Sequence, residues 1–224
     1  MSFYECLKAF PEGSDSPSRL ALTAKRLGWQ GIIICNEEPR SVFQIKAAEK
    51  VRGIGVAVGA EVTAQNARAL HSRVFALRAR YPLITVRGET DELIKAACED
   101  ANVDVLMLGQ VWRPLGIAQA RAAEQNQIAI GFDLSPLIRL RGSSRSRWME
   151  VAKRNLELAR KFHLALAITA GVRSHLDLRS PRDLVALSEV VGFEPSEVDE
   201  ALNLPARLLE LNKRSWIGPG MELL

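Results

Sequence analysis

The chain reads as an α/β protein, a β/α barrel of the TIM type with about seven parallel strands and extra helices at the C-terminal end. Three observations lead there. Short β-branched runs alternate with helical periods almost from end to end over short loops, which implies right-handed crossovers and an all-parallel sheet. No glycine-rich dinucleotide fingerprint follows the first strand, which favours a closed barrel over a doubly wound sheet. No linker, repeat or break in composition divides the chain. Residues 1–224 are therefore expected to form one domain, with 217–224 a loosely held tail.

The elements follow in order. Phe3–Leu7 reads as the first strand. Ser16 and Pro17 open a helix whose apolar positions, Leu20, Ala24 and Leu27, recur at helical spacing until Gly28 stops it. Gly31–Asn36 is apolar on both faces, as a covered parallel strand must be. Pro39 and Ser41 open a second helix to about Arg52, and Ile54–Val62 is the third strand, its glycines implying a bend or close approach. Ala67, Leu70, Val74 and Leu77 form the inner stripe of a third helix ending near Tyr81. Leu83–Arg87, Val103–Gly109, Ile128–Leu134 and Leu164–Ala170 complete the strands. The helices between them are Thr90 to Asp100, Leu115–Asn126 and Ser143–Phe162. Three helical periods close the chain: Pro181–Val191, Pro195–Asn203 and Pro205–Trp216.

Composition bounds the function classes. With 47% apolar and 25% charged residues, disordered, collagen-like and disulfide-scaffold readings fall away. Apolar stretches such as Leu164–Gly171 are far below the roughly 20 residues of a membrane helix. Glu5, Lys8 and Glu12 interrupt the segment where a signal peptide needs its apolar run, so a cytoplasmic protein without membrane contact is expected. Cys6, Cys35 and Cys98 show no CxxC spacing and read as free thiols.

A barrel invites a search for catalysts at its strand ends, and the expected ensembles are missing. There is no His-x-His after the first strand, no GxSxG and no P-loop lysine motif. His71, His163 and His175 are scattered, without evident partners beyond Asp177 near His175. Glu5, Glu61 and Asp133 lie on or near strands, where bonds to backbone or arginine are the expected fate of buried carboxylates. Neither catalytic nor metal-ligating residues are assigned.

Charge is distributed more tellingly. The net charge is +4, yet Arg139–Arg182 holds eleven basic residues against three acidic ones, leaving the remainder net negative. The loops after parallel strands share one rim. Arg87, Arg113, Arg139, Arg145, Arg147, Arg173, Arg179 and Arg182 fall in or beside those loops, with Trp112 placed to stack on a base or to cap the core. Guanidinium forks suit phosphate oxygens, and the Ser143–Ser146 helix start adds backbone donors. A polyanionic partner is expected, with Arg113, Arg139, Arg145, Arg147, Arg173, Arg179 and Arg182 as contact candidates.

The stretch Ile130-Gly131-Phe132-Asp133-Leu134-Ser135-Pro136-Leu137 resembles the strand and turn of the ribonuclease P protein component 3 family. Ile168–Gly171 followed by Arg179-Ser180-Pro181-Arg182-Asp183-Leu184 resembles that family's R-x-P-R-D-L block, and Phe3–Ala9 with Pro11-Glu12-Gly13 is similar to archaeal members. The resemblance implies a barrel related to metal-dependent phosphoesterases but lacking their ligands. Lys8 stands where some relatives carry histidine. It implies a noncatalytic subunit of the RNA-based endonuclease that removes the 5′ leader from precursor tRNA. Its partners would be ribonuclease P RNA, precursor tRNA through the holoenzyme, and the protein component 2 subunit. No cofactor would be held by this chain, Mg²⁺ being required by the RNA. The alternatives are a metal-dependent phosphoesterase of the same barrel superfamily and a protein-interaction barrel with an acidic partner.

Overall fold

The computed structural model describes residues 2–108, 114–213, 216–218 and 221–222, with side chains described through Lys213. The first half of the chain contains β1 (Tyr4–Leu7), α1 (Pro17–Arg26), β2 (Gly31–Ile34), a 3-10 turn (Pro39–Ser41), α2 (Ile45–Ala48), β3 (Gly55–Val58), β4 (Ala60–Val62), α3 (Ala67–Arg78), β5 (Ile84–Gly88), α4 (Asp91–Cys98) and β6 (Val105–Leu108). The second half contains α5 (Ile117–Gln125), β7 (Ala129–Asp133), α6 (Ser135–Arg139), α7 (Gly142–Lys161), β8 (Leu166–Thr169), α8 (Pro181–Val191), α9 (Pro195–Lys213), β9 (Trp216–Gly218) and β10 (Met221–Glu222). Where the sequence suggests a loose tail, β9 and β10 pair antiparallel.

Strands β1 to β8 pair in parallel within two sheets, β1-β2-β3 and β4-β5-β6-β7-β8. The two sheets share one chain crossing within the expected strand Ile54–Val62, which keeps its bonds to the β2 side as far as Glu61 N–H to the Asn36 carbonyl (3.2 Å) and takes up the β5 side from Ala60. Gly59 N–H donates to Ile34 on one side, and Ala60 N–H donates to Leu83 on the other. A Cβ at Gly59 would meet the Leu83 carbonyl at 2.9 Å and the Cys35 sulfur at 3.2 Å, so only glycine allows this crossing. Counting β3 and β4 as one broken strand, the order is that of a seven-strand α/β barrel.

The ring is not closed by a ladder. Between β8 and β1 there is one isolated parallel bridge, Leu7 with Val172, and Lys8 N–H donates to the Val172 carbonyl at 2.9 Å. Below it, side chains take over. The Thr169 hydroxyl bonds the Cys6 carbonyl (3.0 Å) and the Glu5 carboxyl (2.5 Å), and Ala170 N–H donates to Glu5 Oε1 (2.9 Å).

Alternation along the strands sorts the apolar residues into two layers. Ile32, Ile34, Val62, Ile84, Val86, Leu106, Ile130 and Ile168 face the helices, packing with Leu20, Ala24, Leu70, Val74, Leu93 and Leu156. Ile33, Cys35, Leu83, Val105, Met107, Ala129 and Ala167 form the inner cluster, joined by Leu204 and Leu209 of α9. That helix lies against β1 and β8 and runs through Pro205, where two helices were expected. Proline there forgoes one backbone bond, while its ring is buried with the flanking Leu204 and Ala206. The expected helix from Pro39 to Arg52 is instead a 3-10 turn and the single turn α2, interrupted by Gln44 at φ 59°. The short α6, opened by Ser135 and Pro136, was not read from the sequence.

Candidate functional site

The barrel mouth, at the C-terminal ends of the strands, gathers charged side chains from several strands and loops. It opens into a cavity of about 330 Å³ lined on its floor by Cys6, Cys35, Val105, Met107 and Ala167, and higher up by Lys8, Glu61, Arg87, Asp133, Arg139 and Arg173. The apolar floor comes from inward-facing strand residues, and the polar rim from the residues where each strand gives way to its loop.

Lys8, just past β1, is the hub. Its ammonium is 2.8 Å from Glu61 of β4, 3.0 Å from Glu37 after β2 and 3.1 Å from Glu12 of the β1–α1 loop. Burial works against its charge, but Glu61 and Glu37 outweigh burial and raise its pKa. Burial would likewise push Glu61 up, yet the bidentate Arg87 fork (2.8 and 3.2 Å) and Lys8 hold its carboxyl below the usual range. Glu12 accepts from the backbone N–H groups of Glu37 and Glu38 at 2.8 and 2.9 Å, and Glu37 accepts from the Thr63 hydroxyl. Arg87 also approaches Asp133 at 4.0 Å, and Asp133 accepts from Ser135 N–H. The carboxylates suspected on the strands are thus ion-paired or bonded to backbone, as buried carboxylates must be.

Glu5 is different. Its side chain lies in the β8–β1 seam, fully buried, with Oε2 lacking a hydrogen-bond partner. Burial dominates and raises its pKa to about 8; the Thr169 and Ala170 bonds work the other way, and Asp133 adds to the rise.

The arginines selected from the sequence divide. Arg139 and Arg173 both line the mouth, bracketing Asp177, which accepts from the Arg139 guanidinium at 2.7 Å and from Arg173 N–H at 3.1 Å. Arg145 and Arg147 lie near the start of α7, where Arg145 Nε donates to the Leu140 carbonyl at 2.7 Å. Arg179 and Arg182 do not line the mouth. The Arg179 guanidinium holds the carbonyls of Leu176 and Leu178, and its own carbonyl accepts from the Trp29 indole, so it braces the loop before α8. Arg182 is exposed. The capping of α8 belongs to its neighbours: Ser180 N–H donates to Asp183, and Asp183 N–H donates to the Ser180 hydroxyl. Arg113 and Trp112 lie outside the described residues.

His71 and His175 do have partners that their spacing concealed. His71 meets Asp100 at 2.8 Å. His175 meets Asp15, not Asp177, at 2.9 Å, and Arg19 bonds its other ring nitrogen. Burial opposes the charge of Asp15, but the side-chain and backbone N–H of His175 and the Ser174 hydroxyl outweigh it, holding Asp15 down to about 2. These pairs join residues 29 and 160 positions apart, which no local pattern reveals. Lys8 was missed as an organiser for the same reason.

A resident metal does not fit this donor set. The point on which Glu12, Glu37 and Glu61 converge is taken by an ammonium group. Among the described residues, no group of three or more His, Cys, Asp or Glu side chains is placed to hold an ion. Also among the described residues, no helix is long and apolar enough to cross a membrane.

Comparison with known proteins gives the molecule its place. Ribonuclease P protein component 3 of Methanosarcina mazei is 32% identical over 99% of this chain and 95% of its own length. That of Halorubrum lacusprofundi is 33% identical over 98% and 96%. A chain of the cryo-EM structure of archaeal ribonuclease P with mature tRNA superposes with a TM-score of 0.85 at 20% identity, covering 99% of this chain and 97% of that one. Histidinol phosphate phosphatase from Lactococcus lactis, solved with zinc, L-histidinol and phosphate, has a TM-score of 0.55 at 12% identity, covering 86% and 95%, a likeness of fold alone. Residues 6–216 match the model of the RNase P subunit p30 family, and with relatives this similar over nearly their whole length, the chain belongs to that family.

Proposed function

We propose that this chain, a protein subunit of ribonuclease P, binds the enzyme's RNA with the rim of its barrel mouth and the adjoining start of α7, and performs no chemistry itself. The observation that carries this reading is the electrostatics of the α7 N-terminus. Its N-cap is Arg141, with no side-chain cap and no acidic residue in the first turn, and Arg145 and Arg147 follow within the next turns. Positive side chains beside the positive end of a 20-residue helix are unfavourable by roughly 0.3–1 kcal/mol each in the free protein. A phosphate chain reverses that sign, because the backbone N–H groups and the guanidinium forks then share one polyanion. Arg139 and Arg173 continue the cationic edge across the mouth.

On this reading the RNA and its Mg²⁺ ions supply catalysis of precursor tRNA 5′ maturation, this chain holds no cofactor, and the protein component 2 subunit is its protein partner in a cytoplasmic particle. The phosphoesterase alternative gains nothing from the mouth, where the carboxylates are engaged by Lys8 and Arg87.

The test is the salt dependence of ribonuclease P RNA binding. Each phosphate that is no longer neutralised should flatten the slope of log affinity against log salt by about 0.7–0.9. Arg139→Ala with Arg173→Ala, and Arg145→Ala with Arg147→Ala, are expected to flatten it by the equivalent of about one to two phosphates per pair. Arg179→Ala is expected to act through stability instead. Slopes identical to wild type for both pairs would overturn the assignment of the rim.

A further inference from the structure

We propose that the barrel mouth is a pocket for one ribonucleotide, with the base on the apolar floor, the ribose beside Asp133 and the phosphate at the Arg139–Arg173 edge. The interior of a β/α barrel is ordinarily filled by bulky branched side chains. Below the cavity this holds, with Ile33 and Leu83 packed inside. At the cavity it fails. Of the floor residues Cys6, Cys35, Val105, Met107 and Ala167, only Val105 is branched, and the wall above them carries the small Thr85. Gly131, level with Met107 and Ala167, adds no side chain, and the Met107 thioether lies where a Cβ there would be. The hollow that results, about 330 Å³, is at the small end of the roughly 300–1,000 Å³ of small-ligand sites, so it takes one base and not a strand.

The lining changes with height as a nucleotide changes along its length. The Met107 sulfur at the floor is polarisable and favours contact with an aromatic ring. The Thr85 hydroxyl gives its proton to the Ala60 carbonyl, which leaves its oxygen able to accept from a base N–H. Higher up, Asp133 accepts from Ser135 N–H through one oxygen, while its other oxygen is 4.0 Å from Arg87, beyond hydrogen-bond range and open to a ribose hydroxyl. At the edge, the Arg173 guanidinium is exposed and has no ion-pair partner among the described residues. Arg139 gives one N–H to Asp177 and keeps the rest of its fork. The charges also orient the ligand. Glu12, Glu37 and Glu61 gather round Lys8 on the β1, β2 and β4 side, so the anionic end is driven to the β7–β8 side, where the arginines are.

For its source of nucleotide the proposal rests on the reading that the rim meets RNA: an unpaired residue swings out of the RNA and enters base first. A free ribonucleoside monophosphate offers the same chemistry, so the experiment has two arms. The full chain is isotope-labelled at its methionine methyl groups, and the Met107 signal is identified by its loss in Met107→Leu. In the first arm AMP, GMP, CMP and UMP are titrated, with their 2′-deoxy counterparts and inorganic phosphate as controls. The Met107 signal should shift with a dissociation constant on the order of 10⁻⁴ M for the best ribonucleotide. The deoxy form should bind about 3–10-fold more weakly, and phosphate alone should leave Met107 unmoved. Ala167→Leu fills the floor and should abolish the shift. In the second arm ribonuclease P RNA should move the same signal. Ala167→Leu should weaken RNA binding about tenfold with an unchanged salt slope, because a base releases no counterions.

A Met107 signal that responds neither to the nucleotides nor to RNA overturns the pocket, even where the arginine pairs flatten the salt slope and the rim reading stands. So does a response to phosphate as large as that to the nucleotides. Equal binding of deoxy and ribo forms overturns the placement of the ribose at Asp133. A response to nucleotides but not to RNA keeps the pocket and overturns RNA as its source. A response to both, with wild-type slopes for the arginine pairs, keeps the pocket and overturns the rim. These wild-type titrations decide the matter even if Ala167→Leu fails to fold.

Discussion

Glu5 shows how one buried carboxyl can stand in for backbone hydrogen bonding. Its Oε1 satisfies the Ala170 N–H that a β8–β1 ladder would otherwise pair. The arrangement favours the neutral acid, with the pKa raised from 4.5 to about 8. A raised folded-state pKa means the native state holds the proton more tightly than the unfolded chain. The associated stability is complete below about pH 4.5 and is lost as pH rises through about 8, on the order of a few kcal/mol in all. Glu5→Gln keeps the acceptor and removes the titration, so its urea-unfolding free energy should lack the decline that wild type shows between pH 5 and 8. Parallel curves for the two proteins would dismiss Glu5 as the source. At this scale the sequence was partly legible. It marked Glu5, Glu61 and Asp133 as buried carboxylates and Arg139 and Arg173 as rim arginines. It hid the Lys8 hub and the Asp15–His175 pair, whose members are distant in the chain and carry no spacing signature.

Among elements, α8 separates two roles that its R-x-P-R-D-L motif combines. Ser180 and Asp183 form a reciprocal cap, Pro181 occupies the first helical turn, and Gly192 ends the helix at φ 109°. Ser180→Ala should therefore cost about 1 kcal/mol of stability, read by chemical denaturation, without changing the salt slope of RNA binding. A stable variant with weakened RNA affinity would instead place this turn in the interface. Elements such as α1 and α8 were legible because cap, proline and stop glycine agree with the apolar spacing. The region Pro39–Arg52 was not, because Gln44 adopts a left-handed conformation that its residue type does not announce. Helix α9 was divided too early because Pro205 normally ends a helix, and burial of its ring, which lines the mouth cavity with the floor residues, overrides that local preference.

The molecule as a whole is a barrel drawn together at two weak joints. One is the β8–β1 seam, bridged mainly by Glu5, Thr169 and a single backbone pair; the other lies just past Gly59, where only the short β4, Ala60–Val62, pairs with β5. The seam was beyond sequence reading, since strand periodicity fixes which residues face inward but says nothing about whether the last strand hydrogen-bonds to the first. Between these joints the β1-β2-β3 segment is an arc of about a third of the wall, attached to the larger arc by fewer main-chain bonds than hold either together. Native-state hydrogen exchange should accordingly resolve two cooperative opening units. Amides of residues 4–7, 31–34 and 55–58 should exchange through a shared sub-global event, at lower free energy than those of residues 84–88, 105–108 and 129–133. The crossing beside Gly59 would then act as a hinge line, along which the smaller arc lifts away from β5 as one piece while the larger arc stays protected.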